Sequence, residues 1–131
     1  MTRHAIDAPV AVGLLGTGFT PRAGDSLVGP AVLRSDALAL LYRDLPDAEG
    51  RARLEDLAAL RIRLLGDRVS RATAWRMARD LGWTDPRPAE YLAVARLQAD
   101  VLVTDDPALL TAADTLHIPT LTTAEFGGSA R

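Results

Sequence analysis

The sequence predicts an α/β protein, a three-layer α/β/α sandwich around a mostly parallel sheet of four to five strands. Short apolar runs alternate with longer segments whose apolar residues recur at helical spacing, an alternation typical of βαβ units. The clearest unit covers residues 88–110, where an amphipathic helix leads into the apolar run Val101–Val103 and a second helix follows. Such a run indicates a strand buried on both faces of a parallel sheet. We expect one domain over residues 1–131, since this length suits a single core.

Four further segments have the features of short strands. Turn-forming residues end each of them, and the third alternates between polar and apolar side chains before it stops at Gly66. Pro119 restricts the last strand to an edge of the sheet, because proline cannot donate to the hydrogen-bond ladder. These strands are predicted at residues 3–6, 27–30, 61–66 and 117–121.

Helices are predicted between the strands, where apolar side chains recur every three or four residues. Pro9 and Pro107 suit the first turns of two of them. Trp75 and Met77 are interpreted as packing residues and not as a binding site. The helices are predicted at residues 8–15, 31–45, 51–60, 70–81, 107–116 and in the segment that opens at Pro88. Their core candidates are Val32, Leu33, Leu40, Leu41, Leu54, Leu57, Ala58, Leu60, Trp75, Met77 and Ala78.

The remaining segments are interpreted as surface. Residues 16–26 are rich in Gly, Pro and Ser and are typical of a loop, and residues 125–131 are predicted to be a frayed tail. His4 and His117 have no partner motif, and we expect both on the surface rather than in a site.

The composition excludes several classes of function. The chain has no cysteine, which excludes disulfides and thiolate metal sites. All 15 basic residues are arginine, so a P-loop lysine and Schiff-base chemistry are excluded as well. The net charge of −2 gives no global field that attracts nucleic acid, although a local arginine patch could still bind RNA phosphates. No apolar run approaches the ~20 residues that span a bilayer, and no signal peptide is visible, so we expect a cytoplasmic protein without membrane association.

Acidic residues follow two of the predicted strands. Asp7 comes directly after the first strand, and Asp105 and Asp106 follow Val101–Val103. Ligands of open α/β sheets bind outside the carboxyl ends of the strands, which makes these carboxylates candidates for a site. Aspartate is also a favoured helix N-cap, so capping is an alternative for each of them.

Two further acids lie on helices. Asp36 is in the middle of a predicted helix, where aspartate is a poor helix former, so it lies either on the solvated face or over the strand ends. Glu90 is in the first turn of the helix that precedes Val101. A cluster of acids without Lys, Cys or paired His suits a hard divalent cation, Mg²⁺ or Mn²⁺, which can activate water and stabilise charge on a phosphodiester.

The positions of these acids and the segments around them resemble the PIN-domain family, especially the VapC-type ribonuclease toxins of bacterial toxin–antitoxin pairs. The segment AIDAPVAV resembles the family's first strand and its acid, Asp7, and LRSDALALL resembles the second helix with Asp36 in place of the usual Glu. The segment PAEYLAVA matches the later helix at Tyr91, and VLVTDDPAL matches the strand that ends in Thr, any residue, Asp, which gives Thr104 and Asp106. The resemblance covers nearly the whole chain.

The sequence departs from the family pattern at two positions. Pro88 stands where the family has its third acid, three residues before Tyr91, and either Glu90 or Asp85 could substitute for it. Pro9 stands where the family usually has Ser or Thr, two residues after the first acid. The resemblance therefore implies the fold, whereas metal affinity and catalysis depend on how these losses are compensated.

The resemblance implies a Mg²⁺- or Mn²⁺-dependent endoribonuclease that cleaves RNA, is held in check by a small antitoxin protein and forms a homodimer. Asp7, Asp36 and Asp106 would be the catalytic metal ligands and Glu90 would support the metal or its water. Thr104 and Asp105 would support these carboxylates, and an arginine at the rim, Arg34 or Arg87, would contact phosphate.

Two alternatives remain open. A degenerate PIN domain would bind RNA or a protein partner without cleavage, which Pro88 and Pro9 favour. A phosphoryl-transfer domain would use Asp7 as a nucleophile. Receiver and haloacid-dehalogenase-like domains of that kind depend on a lysine, which this chain lacks.

Overall fold

The structure, a computed structural model, describes residues 1–129 and confirms the predicted α/β/α architecture. Five parallel strands form one sheet, and helices flank it. The strands are β1 (Arg3–Ile6), β2 (Ser26–Pro30), β3 (Arg63–Leu65), β4 (Val101–Val103) and β5 (Thr120–Leu121). The helices are α1 (Ala8–Leu14), α2 (Leu33–Asp44), α3 (Asp47–Ala59), α4 (Arg68–Leu81), α5 (Ala89–Gln98), α6 (Pro107–Thr115) and α7 (Thr123–Ser129).

The sheet has the order β3-β2-β1-β4-β5, with β1 at its centre. Ala5 of β1 lies opposite Val28 of β2 on one side and Leu102 of β4 on the other. After β1 the chain builds the sheet in one direction through β2 and β3, and later in the other direction through β4 and β5. The strand order therefore reverses between β1 and β4, and such a switch point opens a crevice at the carboxyl ends of the two strands.

The core lies around the central strands and α5. Ile6 and Leu102 are fully buried in the sheet, and Leu92 of α5 is fully buried above it. Helix α5 packs against both the sheet and α4, and five consecutive residues, 91–95, are buried. Helix α5 therefore has a fixed position relative to β1 and β4, which matters for the side chains it carries toward the crevice.

Aspartate side chains cap three helices. Asp7, Asp67 and Asp106 accept hydrogen bonds from the backbone N–H groups three residues later, at the starts of α1, α4 and α6. These contacts satisfy N–H groups that have no partner within the helix. Helix α4 ends at Gly82, whose φ of 71° lies in the left-handed region that glycine adopts without strain.

The prediction that Trp75, Leu54 and Ala58 belong to the core is wrong. Trp75 is 58% exposed, and Leu54 and Ala58 are also exposed. Trp75 and Met77 are two positions apart, which places them on nearly opposite sides of α4, and Met77 is the one that is buried. Helix α3 packs mainly against α2 and contacts no strand closely, so only the side that carries Leu57 is covered.

The prediction for His4 is also wrong, since its side chain is buried. β1 is central and α7 covers this part of it, so His4 packs against Phe126 with ring centroids 5.0 Å apart. His117 is exposed, as expected. The predicted frayed tail falls partly on α7, while residues 130–131 lie outside the described residues.

The predicted loop is confirmed except for its last residue, Ser26, which begins β2, and the edge position of β5 is confirmed. β3 and β5 are shorter than predicted, and α2 begins two residues later, at Leu33. Within residues 1–129, no helix has the length and apolar character needed to cross a membrane.

Candidate active site

The crevice at the switch point carries two acids, one from each neighbouring strand. Asp7 directly follows β1, and Asp106 lies three residues beyond the end of β4. Asp7 is almost completely buried, at 3% exposure, whereas Asp106 is exposed. Both side chains also cap a helix, through Val10 N–H at 3.0 Å and Leu109 N–H at 3.0 Å. The sequence leaves open whether these aspartates cap helices or belong to a site. In the structure each side chain caps a helix and also lies at the crevice.

Thr104 joins the two acids. Its hydroxyl donates to Asp7 Oδ2 at 2.5 Å and accepts from the backbone N–H of Asp106 at 3.0 Å. The Thr104 side chain is fully buried, so these bonds are shielded from water. Thr104 therefore fixes the orientation of the Asp7 carboxylate and the path of the chain into Asp106.

Asp36 reaches the same place from α2. It lies in the first turn of that helix, half-buried, and its Oδ2 accepts a hydrogen bond of 2.6 Å from the hydroxyl of Tyr91 on α5. Burial and the hydrogen bond to Asp36 raise the pKa of Tyr91, so its hydroxyl stays protonated and remains the donor. Asp36 therefore lies over the strand ends and not on the solvated face of α2, which was the alternative.

An open cavity of about 440 Å³ unites these residues. Asp7, Asp36 and Asp106 all line it, so the three predicted catalytic acids meet at one edge of the sheet. The other lining residues are Ala8, Pro9, Ala39, Leu40, Asp85, Arg87, Pro88, Tyr91 and Leu109. Apolar walls around a few convergent carboxylates are typical of a ligand site.

The surroundings of the cavity also change the pKa of Asp7. Burial raises the pKa of Asp7, and the nearby charges of Asp106 and Asp105 raise it further, whereas the hydrogen bonds from Thr104 and Val10 lower it. A buried carboxylate with like charges beside it is a common feature of functional sites, because a bound cation relieves the repulsion.

Glu90 and Asp85, the candidates for the missing third acid, occupy different positions. Asp85 lines the cavity, but its carboxylate is engaged by Arg87 in a salt bridge of 2.8 Å. Glu90 is half-buried in the first turn of α5 and is not among the residues that line the cavity. Burial raises the pKa of Glu90, and the charge of Asp36 acts in the same direction. The role of Glu90 at a metal ion thus stays a prediction.

The two remaining support candidates differ in what they contact. Thr104 binds both acids as described. Asp105 instead accepts hydrogen bonds from the N–H and hydroxyl of Thr123, which lower the pKa of Asp105 and hold the start of α7. Its contribution to the cavity is its charge, which raises the pKa of Asp7.

The two candidate phosphate contacts are also distinct. The Arg34 guanidinium donates to the carbonyl oxygens of Leu57 and Leu60 at the end of α3, so it is committed to holding α3 against α2. Arg87 lines the cavity, and its side chain is 78% exposed although it pairs with Asp85. Arg87 is therefore the arginine at the rim that can meet a phosphate.

Carboxylate oxygens are the right kind of ligand for Mg²⁺ or Mn²⁺. Among residues 1–129, no three His, Cys, Asp or Glu side chains are arranged so that they could hold a metal ion together. As the side chains lie, at most two of these carboxylates would contact an ion directly, and water would complete its coordination. Mg²⁺ keeps several waters in many protein sites, so the donor set fits such an ion.

The chain has a PIN-like fold, an α/β/α sandwich, with carboxylates gathered at the switch point of its parallel sheet. Among solved structures, the chain is similar to a chain in the crystal structure of VapBC2 from Rickettsia felis bound to a DNA fragment from their promoter, with a TM-score of 0.65. The similarity covers 92% of this chain and 98% of that chain at 7% sequence identity, and it confirms the predicted fold. No protein-family model matches the sequence, and no curated protein matches it.

Tyr91 is the site residue that the reasoning from sequence missed. The sequence places Tyr91 in the segment PAEYLAVA without a role in the site, and its side chain is buried. Its hydroxyl donates to Asp36, and both residues line the cavity. A buried tyrosine needs a hydrogen-bond partner, and this requirement was the available signal.

Proposed function

We propose that the chain is a metal-dependent endoribonuclease, the toxin of a toxin–antitoxin pair, which cleaves RNA phosphodiesters with a divalent cation held by carboxylates. The observation that carries this proposal is the hydrogen-bonded unit Asp7–Thr104–Asp106 at the switch point, with Asp36 in the same cavity. The similarity in fold to a chain of VapBC2 supports the same proposal.

In this proposal the side chains of the protein orient the carboxylates around the ion and bind the RNA in position. Asp7, Asp36 and Asp106 would hold Mg²⁺ or Mn²⁺, at most two of them directly and the third through a bound water, and Glu90 would support the ion or its water from the first turn of α5. When bound, the ion supplies Lewis-acid stabilisation of charge on the phosphodiester and lowers the pKa of a bound water. Thr104 and Tyr91 hold Asp7 and Asp36 in fixed orientations, and Arg87 contacts a phosphate at the rim.

The test is an RNA cleavage assay with Mn²⁺, with and without EDTA. We expect cleavage by the unmodified protein that EDTA stops and that Asp7→Asn or Asp106→Asn abolishes. Asp114→Asn on α6 is the matched control, because Asp114 is exposed and lies outside the cavity, and it should leave cleavage unchanged. Cleavage that persists in Asp7→Asn, or that EDTA does not affect, would contradict the proposal.

A second candidate is a degenerate PIN domain that binds RNA or a protein partner without cutting. Two observations favour it: Pro88 occupies the position of the family's third acid, and no group of three ligands within residues 1–129 could hold a metal ion. This candidate expects no cleavage by any variant and no rise in melting temperature with Mn²⁺, since a ligand specific to the folded state must raise stability.

The proposal includes a small antitoxin as partner, which the similarity in fold to a chain of the VapBC2 structure supports. It also includes a homodimer. Leu38, Tyr42 and Leu54 are exposed and line an apolar groove between α2 and α3, and Asp47 and Arg51, which pair with each other at 3.3 Å, also line it and carry opposite charges. A surface with both signs can be complementary to a second copy of itself about a two-fold axis.

Sedimentation velocity tests the homodimer. We expect the purified protein to sediment as a dimer, and Leu38→Glu to shift it to a monomer, because a charge would be buried at the interface. Ala52→Glu, an exposed change on α3 outside the groove, should leave the dimer intact. A monomer at high concentration would contradict this part of the proposal.

A further inference from the structure

Four of the arginines project from a single helix, α4, around an exposed tryptophan. Arg68, Arg71, Arg76 and Arg79 are exposed, and Trp75 is 58% exposed. At 100° per residue, Arg68, Arg71 and Arg79 lie within about 40° of Trp75 around the helix axis, and they extend over about 16 Å along it. We call Arg68, Arg71, Trp75 and Arg79 the arginine face of α4.

In the part of the chain that the structure describes, the arginines of this face lack the close carboxylate partners that five other arginines have. The guanidinium groups of Arg43, Arg53 and Arg87 form salt bridges with neighbouring carboxylates. Within residues 1–129, no carboxylate lies within salt-bridge distance of Arg68, Arg71 or Arg79. The three guanidinium groups thus give the face positive charge, offset in part at Arg71 by the nearby charges of Asp67 and Glu90, on a protein whose net charge is −2.

Trp75 is placed as a stacking surface. The guanidinium carbon of Arg79 lies 5.0 Å from the centre of the Trp75 ring, a cation–π contact that holds the indole against the helix. Much of the indole remains open to solvent even so. An aromatic ring set among cations provides both of the contacts that a single-stranded nucleic acid takes, stacking for its bases and charge for its phosphates.

The helix that carries this face packs on α5, which carries Glu90 and Tyr91. The charge of Arg71 acts on the carboxylate of Glu90, which in turn interacts with Asp36 in the cavity. Arg71 is therefore near enough to Glu90 for their charges to interact, and Glu90 is the chain neighbour of Tyr91, which lines the cavity. A strand that occupies the cavity could continue onto this face.

We infer that the arginine face of α4 binds single-stranded RNA next to the cavity, with an unpaired base stacked on Trp75 and phosphates held by the arginines. This inference deepens the proposed ribonuclease function, on which it rests, by assigning the surface that holds the substrate beyond the cleavage site. Arginine suits this task because its planar group contacts phosphate oxygens bidentately.

The test measures the affinity of the full chain for a short fluorescein-labelled single-stranded RNA of mixed sequence, in EDTA so that metal-dependent cleavage cannot occur. We expect Trp75→Leu to weaken binding at least fivefold, and Trp75→Phe to retain most of it, since stacking on an aromatic ring contributes about 1–3 kcal/mol per base. Leucine keeps an apolar side chain at this position, so an equal affinity of Trp75→Leu and the unmodified protein would overturn the stacking role.

The charge is tested by Arg68→Gln with Arg79→Gln, compared with Arg61→Gln with Arg63→Gln. Both pairs remove two exposed charges, but the control pair lies on β3 and the segment before it and not on α4. Each phosphate contact adds about 0.7 to the slope of log affinity against log salt for single strands, so the first pair should reduce the slope by about 1.4. The control pair should leave the slope unchanged, and equal effects of the two pairs would overturn the inference.

Fluorescence gives a measurement that does not depend on affinity. In Trp83→Phe the remaining tryptophan is Trp75, and we expect single-stranded RNA to quench its emission, whereas a fully paired RNA duplex quenches it less because its bases are already stacked. Unchanged emission at saturating RNA would overturn the inference, and the face would then be left to a protein partner.

Failure of this inference and failure of the proposed function give different results. If no variant cleaves RNA but Trp75→Leu weakens binding, the cleavage proposal fails and the RNA-binding face stands. If the unmodified protein cleaves RNA and Trp75→Leu changes neither affinity nor KM, the inference alone fails. If both hold, Trp75→Leu raises KM and leaves kcat unchanged, because it removes binding that is equal in the ground and transition states.

Discussion

Replacing Thr104 by valine is the change that probes the site most selectively. Valine keeps the shape of threonine but lacks the hydroxyl, so Asp7 Oδ2 loses its donor and the Asp106 N–H loses its acceptor, both at a fully buried position. A hydrogen bond to a charged group contributes about 1.5–3 kcal/mol and a neutral one about 1 kcal/mol. We therefore expect Thr104→Val to lower the free energy of unfolding by about 2.5–4 kcal/mol at neutral pH.

The pH dependence of this loss identifies Asp7 as its source. In the unmodified protein the Thr104 hydroxyl lowers the pKa of Asp7, against the stronger effect of burial, which raises it. Thr104 thus stabilises the charged form of Asp7, and its contribution is present above the pKa of Asp7 in the folded protein. It is lost as the pH falls through that pKa toward 3.8, the ordinary value, where Asp7 is protonated with or without Thr104.

Urea unfolding followed by circular dichroism at a series of pH values measures this difference. Thr104→Ser is the control, because it keeps the hydroxyl and loses a methyl group, which costs about 1 kcal/mol at any pH. A Thr104→Val protein as stable as the unmodified one would refute the reasoning. So would a deficit that does not change with pH, since the loss would then arise from packing and not from the Asp7 carboxylate.

Three further predictions concern the other site residues. Asp7→Asn should raise the free energy of unfolding at neutral pH while abolishing cleavage, because the raised pKa of Asp7 means that its charge costs stability above that pKa; urea unfolding should show this gain vanishing below 3.8, where Asp7 is neutral. Tyr91→Phe should lower stability by about 1–2 kcal/mol in the same assay and slow Mn²⁺-dependent cleavage, because Asp36 loses its donor, and unchanged kcat would exclude an orienting role. Glu90→Gln should reduce cleavage by less than Asp7→Asn does in steady-state assays, and full activity would leave Asp85 or water as the replacement for the third acid.

The fold could be predicted from the sequence because its signals are local. The apolar run Val101–Val103, the turn residues and the helical periodicity each depend on a few neighbouring side chains. What could not be predicted is which face of a helix the rest of the chain covers. Trp75 and Leu54 look apolar enough for a core, yet their exposure depends on what packs against α4 and α3.

The site could be predicted in part for the same reason. Asp7 and Asp106 follow their strands closely, so the parallel sheet brings them together once the strand order is known. The contact between Tyr91 and Asp36 joins residues 55 positions apart and depends on how α5 and α2 meet, which no local pattern encodes. The hydrogen bonds from Arg34 to the carbonyl oxygens at the end of α3 likewise depend on how α2 and α3 pack together.

The proposed role of the acids at the switch point requires that the protein bind a divalent cation, and this binding can be measured directly. Titration with Mn²⁺, followed by the electron paramagnetic resonance signal of the free ion, counts the ions bound per chain. We predict one bound Mn²⁺ per chain, which Asp7→Asn or Asp106→Asn removes and Asp114→Asn retains. No bound ion in the unmodified protein, or binding that Asp7→Asn leaves unchanged, would contradict the account.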